Sequence, residues 1–216
     1  MVNQRKKHFL FDLDGVIIDS MPIHTEAWVT YLEKFGISAD RVVERMHGRR
    51  NDQIVRDLFG VTLSEEEVFD HGASKEALFR EMVGAKLEQL LVPGIREFLQ
   101  AHAGRGLGLG SNAEPDNVDF VLDRAELRLH FQSVVDGHQV AHPKPDPDIY
   151  LLLARKFAVL PEQCVVFEDS SPGVTAALRA GMQVVGVGTS EEKLAGVEFM
   201  VRDFRDPNLT QWLQSL

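Results

Sequence analysis

The sequence predicts an α/β fold in which a doubly wound parallel sheet carries an inserted all-helical lobe. Three observations predict it. Short runs that are apolar at nearly every position alternate with segments of helical spacing, the pattern of a parallel sheet covered on both faces. The chain opens with one such run and resumes the alternation only after Pro93. Between Pro22 and Leu91 the apolar residues recur at helical spacing alone, with no strand pattern.

The opening run, His8-Phe9-Leu10-Phe11, ends in Asp12-Leu13-Asp14-Gly15 and reads as a buried strand running out into a turn. Side chains alternate along a strand, so Asp12 and Asp14 start on the same face. A helix opens at Pro22, with Ile23, Ala27, Val29, Tyr31, Leu32 and Phe35 at helical spacing and Gly36 as its stop. Asp40 is placed to cap a second helix. Gly48-Arg49-Arg50-Asn51-Asp52 interrupts before a third that ends near Gly60. Ser64 followed by Glu65-Glu66-Glu67 is an N-cap with acids in the first helical turn. Helical spacing then continues through Leu78, Phe79, Met82, Leu87, Leu90 and Leu91. Pro93-Gly94 marks the return from the insertion. Residues 20–92 are therefore expected to form a helical lobe, and residues 1–19 plus 93–216 the core.

The alternation then resumes. A helix over residues 95–102 precedes the glycine-rich apolar run 106–110, which closes on Ser111-Asn112. Pro115 starts the next helix at a favoured first position. Residues 131–136 form a short strand. His142-Pro143-Lys144-Pro145-Asp146-Pro147 is stiffened by three prolines before a helix that runs to Phe157. Cys164-Val165-Val166-Phe167 is a buried strand ending in Glu168-Asp169, and Ser171-Pro172-Gly173 opens a helix that Gly181 closes. Residues 184–188 make a further strand.

Composition narrows the partners. The 216 residues are 44% apolar and 26% charged, and the formal net charge is 23 − 33 = −10. That acidity argues against nucleic acid and anionic membranes, both of which need a basic surface. It also makes a monomer the expected state. The single cysteine, Cys164, permits no intrachain disulfide and fits a reducing, cytoplasmic setting. The apolar run after the basic start is too short for a signal peptide, and none is long enough to span a membrane.

Parallel strands bring their carboxyl ends to one edge, where open α/β sheets bind ligands. The groups expected there are Asp12 and Asp14, Ser111 and Asn112, Lys144, and Glu168 and Asp169. Taken singly, Lys144 reads as a solvated loop lysine, Glu168-Asp169 as helix-capping acids and Ser111 as a turn residue. Together, four acids, an amine and a hydroxyl suit a hard cation beside an oxyanion. Mg²⁺ takes oxygen ligands and commonly shares a phosphate with one or two carboxylates. Asp12 is placed to attack phosphorus, and Ser111 to hold phosphoryl oxygens. Asp14, given a raised pKa, protonates the leaving oxygen and later deprotonates water.

Asp12-Leu13-Asp14-Gly15-Val16, Ser111-Asn112, Lys144 in His-Pro-Lys-Pro-Asp-Pro, and Phe167-Glu168-Asp169-Ser170 stand in the order of four motifs. In them the chain resembles the haloacid dehalogenase superfamily, in the helical-cap subgroup of β-phosphoglucomutase-like enzymes and sugar phosphatases. The resemblance covers nearly the whole chain and implies a Rossmann-like core. It implies an aspartyl-phosphate on Asp12 and acid–base work by Asp14, whose backbone carbonyl also faces the metal. Ser111, Asn112 and Lys144 then bind the phosphoryl group, and Asp12, Asp14, Glu168 and Asp169 form the Mg²⁺ site. In the cap, His24 and Lys75 match substrate-facing family positions, and Arg49 and Arg50 lie in the stretch 48–52 that resembles the family's substrate-reaching loop, though each also reads as an ordinary polar surface residue. In the mutases an arginine that binds the distal phosphate lies three residues after the cap-loop glycine. Here that position is Asn51, which counts against the mutase reading. Asp19-Ser20 and Leu91-Val92-Pro93 fall where the cap hinges belong.

The expected activity is Mg²⁺-dependent hydrolysis of a small phosphorylated metabolite, a sugar phosphate. A β-phosphoglucomutase-like mutase is the alternative. A catalytically idle binding module has no use for clustered acids, and Asp14 speaks against dehalogenation.

Overall fold

A computed structural model describes residues 7–40, 51–188 and 194–216. Strands β1 (His8–Phe11), β2 (Leu107–Ser111), β3 (Ser133–Asp136), β4 (Cys164–Glu168), β5 (Gln183–Val187) and β6 (Phe199–Val201) form one sheet. Their order is β3-β2-β1-β4-β5-β6, and every neighbouring pair is parallel. The first strand is thus central, and the chain builds outward from it in both directions.

Alternation along β1 feeds two cores. Phe9 and Phe11 point to one face, where Phe11 stacks flat on Phe167 at 4.7 Å. Phe98 of helix α5 (Ile95–Ala101) and Phe204 complete this aromatic cluster. Leu10 points to the other face. There it packs with Val166 and Val184 against Tyr150 and Leu153 of α7 (Asp148–Lys156) and Val174 and Ala177 of α8 (Ser171–Arg179). Helix α6 (Pro115–Arg124) lies with the aromatic face, where Val118, Val121 and Leu122 are buried. The expected doubly wound parallel sheet is the observed one. Cys164 is buried and unbridged, and burial pushes its thiol up to about 11.

The stretch between β1 and α5 is helical among the described residues: α1 (Met21–Glu33), α2 (Asn51–Phe59), α3 (Glu65–Gly84) and the single turn α4 (Leu87–Leu90). Trp28, Tyr31, Leu32, Ile54, Val55 and Val68 give these helices a small core of their own. Gly36 ends α1 in the left-handed region at φ +64°, where a residue without Cβ is at ease. Ser64 and Glu67 satisfy each other's backbone donors in a capping box. The two connections to the sheet run side by side: Asp19 N–H donates to Leu90 C=O at 2.8 Å, and Val92 N–H to Ile17 C=O at 3.0 Å. The helix expected after Asp40 falls largely in 41–50, outside the described residues.

Two elements have weak sequence signals. Strand β6 is a three-residue apolar run, Phe199-Met200-Val201, half-exposed at the sheet edge, too short to stand out in the sequence. Helix α9 (Pro207–Gln214) follows it, with Asp206 accepting from Asn208 N–H as its cap.

Candidate active site

The carboxyl edge of the sheet forms the floor of a cleft of about 110 Å³, and the helical lobe forms its roof. The floor is Asp12, Asp14, Ser111, Asn112, Lys144 and Asp169, and the roof includes His24, Trp28, Asn51, Ile54, Lys75 and Glu76. Each floor residue except Lys144 lies at or just beyond a strand end, so the topology brings them together, and Lys144 is carried in by the loop between β3 and α7.

Lys144 is the centre of the charge cluster. Its Nζ donates to Asp12 Oδ1 at 2.8 Å and to Glu168 Oε1 at 2.6 Å, and all three side chains are buried. Burial favours the neutral amine, but Asp12 and Glu168 outweigh it and lift Lys144 above the ordinary lysine value. Asn112 fixes the backbone beneath: its Oδ1 accepts from Lys144 N–H at 3.1 Å and its Nδ2 donates to Lys144 C=O at 3.3 Å. The side chain expected to bind phosphate is therefore engaged in presenting Lys144. Ser111 is buried, and its Oγ accepts from Ala113 N–H at 3.0 Å.

Carboxylate oxygens of Asp12, Glu168 and Asp169 lie within 4.8 Å of one another. Burial pushes the Asp12 carboxyl up to about 7; Lys144 opposes this, and Glu168 and Asp14 add to it. Burial, then Glu168 and Asp12, push Asp169 well above the carboxylate range. Three buried acids with one lysine are short of positive charge, and their donor atoms are all oxygen. That set fits Mg²⁺, which neutralises such clusters and takes oxygen ligands. Gly15 makes room for the Asp169 carboxylate: a Cβ there would stand 1.8 Å from Asp169 Oδ2.

Asp14 departs from expectation. Burial raises its pKa, but His24 and the Ser20 hydroxyl that donates to Oδ1 more than offset it. Asp14 is held below the carboxylate range, and the raised values belong to Asp12 and Asp169. The lobe supplies this control. His24 lies flat on Phe79 at 3.7 Å, with Nε2 3.6 Å from Asp14 Oδ1. Its Nδ1 is 3.3 Å from Lys75 Nζ. An ammonium only donates, so Nδ1 accepts and the ring proton sits on Nε2, facing Asp14.

Lys75 is not a surface residue: it is 2% exposed, pairs with Glu76 at 2.5 Å, and lies 5.0 Å from the Trp28 ring centre. Sequence reasoning missed the roof-to-floor contact beside it. Asn117 of α6 donates to Glu76 Oε2 at 2.7 Å and accepts from Arg80 Nη1 at 2.8 Å. No sequence spacing announces that pairing, because its partners lie 37 and 41 residues apart. Arg49 and Arg50 lie outside the described residues. Among the described residues no helix is long and apolar enough to cross a membrane.

Fold and cleft together define a class: an α/β enzyme with a roofed acidic site suited to a hard cation and an oxyanion. The chain belongs to the haloacid dehalogenase-like hydrolases, whose family model matches residues 6–181. It is 32% identical to a fructose-1-phosphate phosphatase of Escherichia coli over 188 residues, covering 85% of this chain and 97% of that protein. It is 31% identical to a β-phosphoglucomutase of Bacillus subtilis, covering 94% of this chain and 92% of that protein. Among solved structures it matches a β-phosphoglucomutase of Clostridium difficile with a TM-score of 0.85 at 27% identity, covering 97% of each chain.

Proposed function

We propose that this protein is a Mg²⁺-dependent phosphatase of a small phosphorylated sugar or polyol, working through an aspartyl-phosphate on Asp12. The observation that carries the reading is the Asp12–Lys144 contact at 2.8 Å on the floor of a cleft roofed by helices. Asp12 is the nucleophile. Lys144 and Ser111 hold the phosphoryl oxygens, with Asn112 fixing Lys144. Asp12 and Asp169, with Glu168 beside them, would hold Mg²⁺, which when bound would offset repulsion between the attacking carboxylate and the phosphoryl group.

Asp14 is the acid–base group. A phosphate dianion close to it raises its proton affinity, so substrate binding arms it to protonate the leaving oxygen. Ionised again, it takes the proton of the water that cleaves the aspartyl-phosphate. Residues 20–92 act as a cap on the hinges at Asp19-Ser20 and Leu91-Val92-Pro93, bringing His24 and Lys75 over the site and excluding bulk water.

The mutase is the second reading, supported by the two β-phosphoglucomutase matches. Phosphate release across sugar and polyol phosphates with Mg²⁺, including β-glucose 1-phosphate, tests both readings. Free phosphate that Asp12→Asn abolishes supports the phosphatase. Glucose 6-phosphate without free phosphate replaces it with the mutase. No turnover on any substrate removes both.

A further inference from the structure

Glu168, fully buried beneath the cleft floor, is a heavily used acceptor. Lys144 Nζ at 2.6 Å and Tyr150 Oη at 2.7 Å donate to Oε1. Asp169 N–H at 3.1 Å, Ser170 N–H at 3.3 Å and Ser170 Oγ at 3.1 Å donate to Oε2. A carboxylate offers about four lone-pair sites, and these donors occupy them. Glu168 is therefore anchored from every side, and four of its five donors have evident origins in the turn after β4 or in Lys144 itself. The fifth, Tyr150, comes from α7. It is 0% exposed, does not line the cleft, and its ring centre lies 4.9 Å from Lys144 Nζ. Packing alone would be satisfied by phenylalanine; the hydroxyl needs another reason.

We infer that Tyr150 is a positioning residue for Lys144, acting through Glu168. Lys144 and Tyr150 share Oε1. The phenol draws off part of the charge that would otherwise pull the ammonium wholly onto Glu168. Lys144 then keeps its contact with Asp12 and remains on the cleft wall, where a phosphoryl oxygen can reach it. The inference rests on Lys144 being the phosphoryl-binding cation of the proposed function.

The test is calorimetric titration of inorganic phosphate into the full-length protein with saturating Mg²⁺. Tyr150→Phe keeps the ring and removes only the hydroxyl. It weakens phosphate binding about ten-fold, the loss of roughly one hydrogen bond's worth of positioning. In a Glu168→Gln background, where position 168 carries no charge for the phenol to temper, Tyr150→Phe changes affinity less than two-fold. An equal effect in both backgrounds, or none in the native background, overturns the inference. If Tyr150→Phe does not fold, fluorotyrosine incorporated in a Tyr31→Phe chain keeps the ring and strengthens the donor. Phosphate binding then tightens, and unchanged binding overturns the inference. Lys144→Ala separates the two levels of the argument. If it leaves phosphate binding intact, the phosphoryl role of Lys144 fails and this inference with it. If it abolishes binding while Tyr150→Phe does nothing, only the role of Tyr150 fails.

Discussion

Gly173 shows how little freedom a single residue has beside this cluster. A Cβ there would stand 1.8 Å from Glu168 Oε1 and 1.9 Å from its Cδ. Gly173→Ala must push the Glu168 carboxylate aside and detach Lys144 from it. We expect phosphate release to fall more than about 100-fold, with a stability loss of about 1–3 kcal/mol from overpacking. Urea unfolding beside steady-state kinetics checks both. Asp12 makes a prediction of another kind. Its carboxyl is raised from 3.8 to about 7, so between those values the folded chain holds a proton that the unfolded chain has released. Stability of the metal-free protein therefore falls as pH rises through that window, and the penalty is complete above it. Asp14, held below its ordinary value, has the opposite sign and acts only in more acid solution. Mg²⁺ replaces the missing positive charge where the proton has left, so it raises the melting temperature more at pH 8 than at pH 5.5, by roughly 5 °C or more. Equal shifts at both pH values would remove Asp12 from the metal site.

At the scale of elements, α3 meets α6 through Glu76 and Arg80, one helical turn apart, which grip Asn117 from both sides. Asn117→Ala leaves a buried Glu76 oxygen short of a donor only while roof and floor are together. That costs the closed arrangement about 1–3 kcal/mol, so kcat/KM drops roughly ten- to hundred-fold while urea stability changes little. A large stability loss with unchanged kinetics would make this contact mere packing. The elements were readable in the sequence where burial is one-sided or complete. The runs 8–11, 107–111 and 164–168 are buried throughout or nearly so, and the helix between Glu65 and Gly84 has a capping box at its start. Strand β6 was not, because a half-exposed edge strand of three residues carries no periodic signal. The floor of the site was legible because topology forces strand ends together. The roof was legible only as candidates, since α1 and α3 face their own small core and the cleft at once. That Lys75 is buried against Glu76 and Trp28 depends on contacts across helices, as does the choice between Asp12 and Asp14 for the raised carboxyl.

For the molecule as a whole, the net charge of −10 acts in opposite directions on the two species the proposed reaction must gather. The long-range field draws Mg²⁺ toward the protein and repels a phosphate dianion. Attraction of the phosphate begins only at short range, around Lys144 and the bound cation. Screening shrinks from about 30 Å at 0.01 M salt to about 8 Å at 0.15 M, so added salt removes the long-range field and leaves the contacts. The Mg²⁺ concentration for half-maximal activity therefore rises several-fold between those ionic strengths. At saturating Mg²⁺, kcat/KM for a sugar phosphate holds within about two-fold or increases, because the repulsion being screened opposed its arrival. Kinetics at two KCl concentrations with independently varied MgCl₂ separate the effects. A steep fall of kcat/KM with salt at saturating Mg²⁺ would mean that a local basic funnel, not the acidic whole, governs substrate entry.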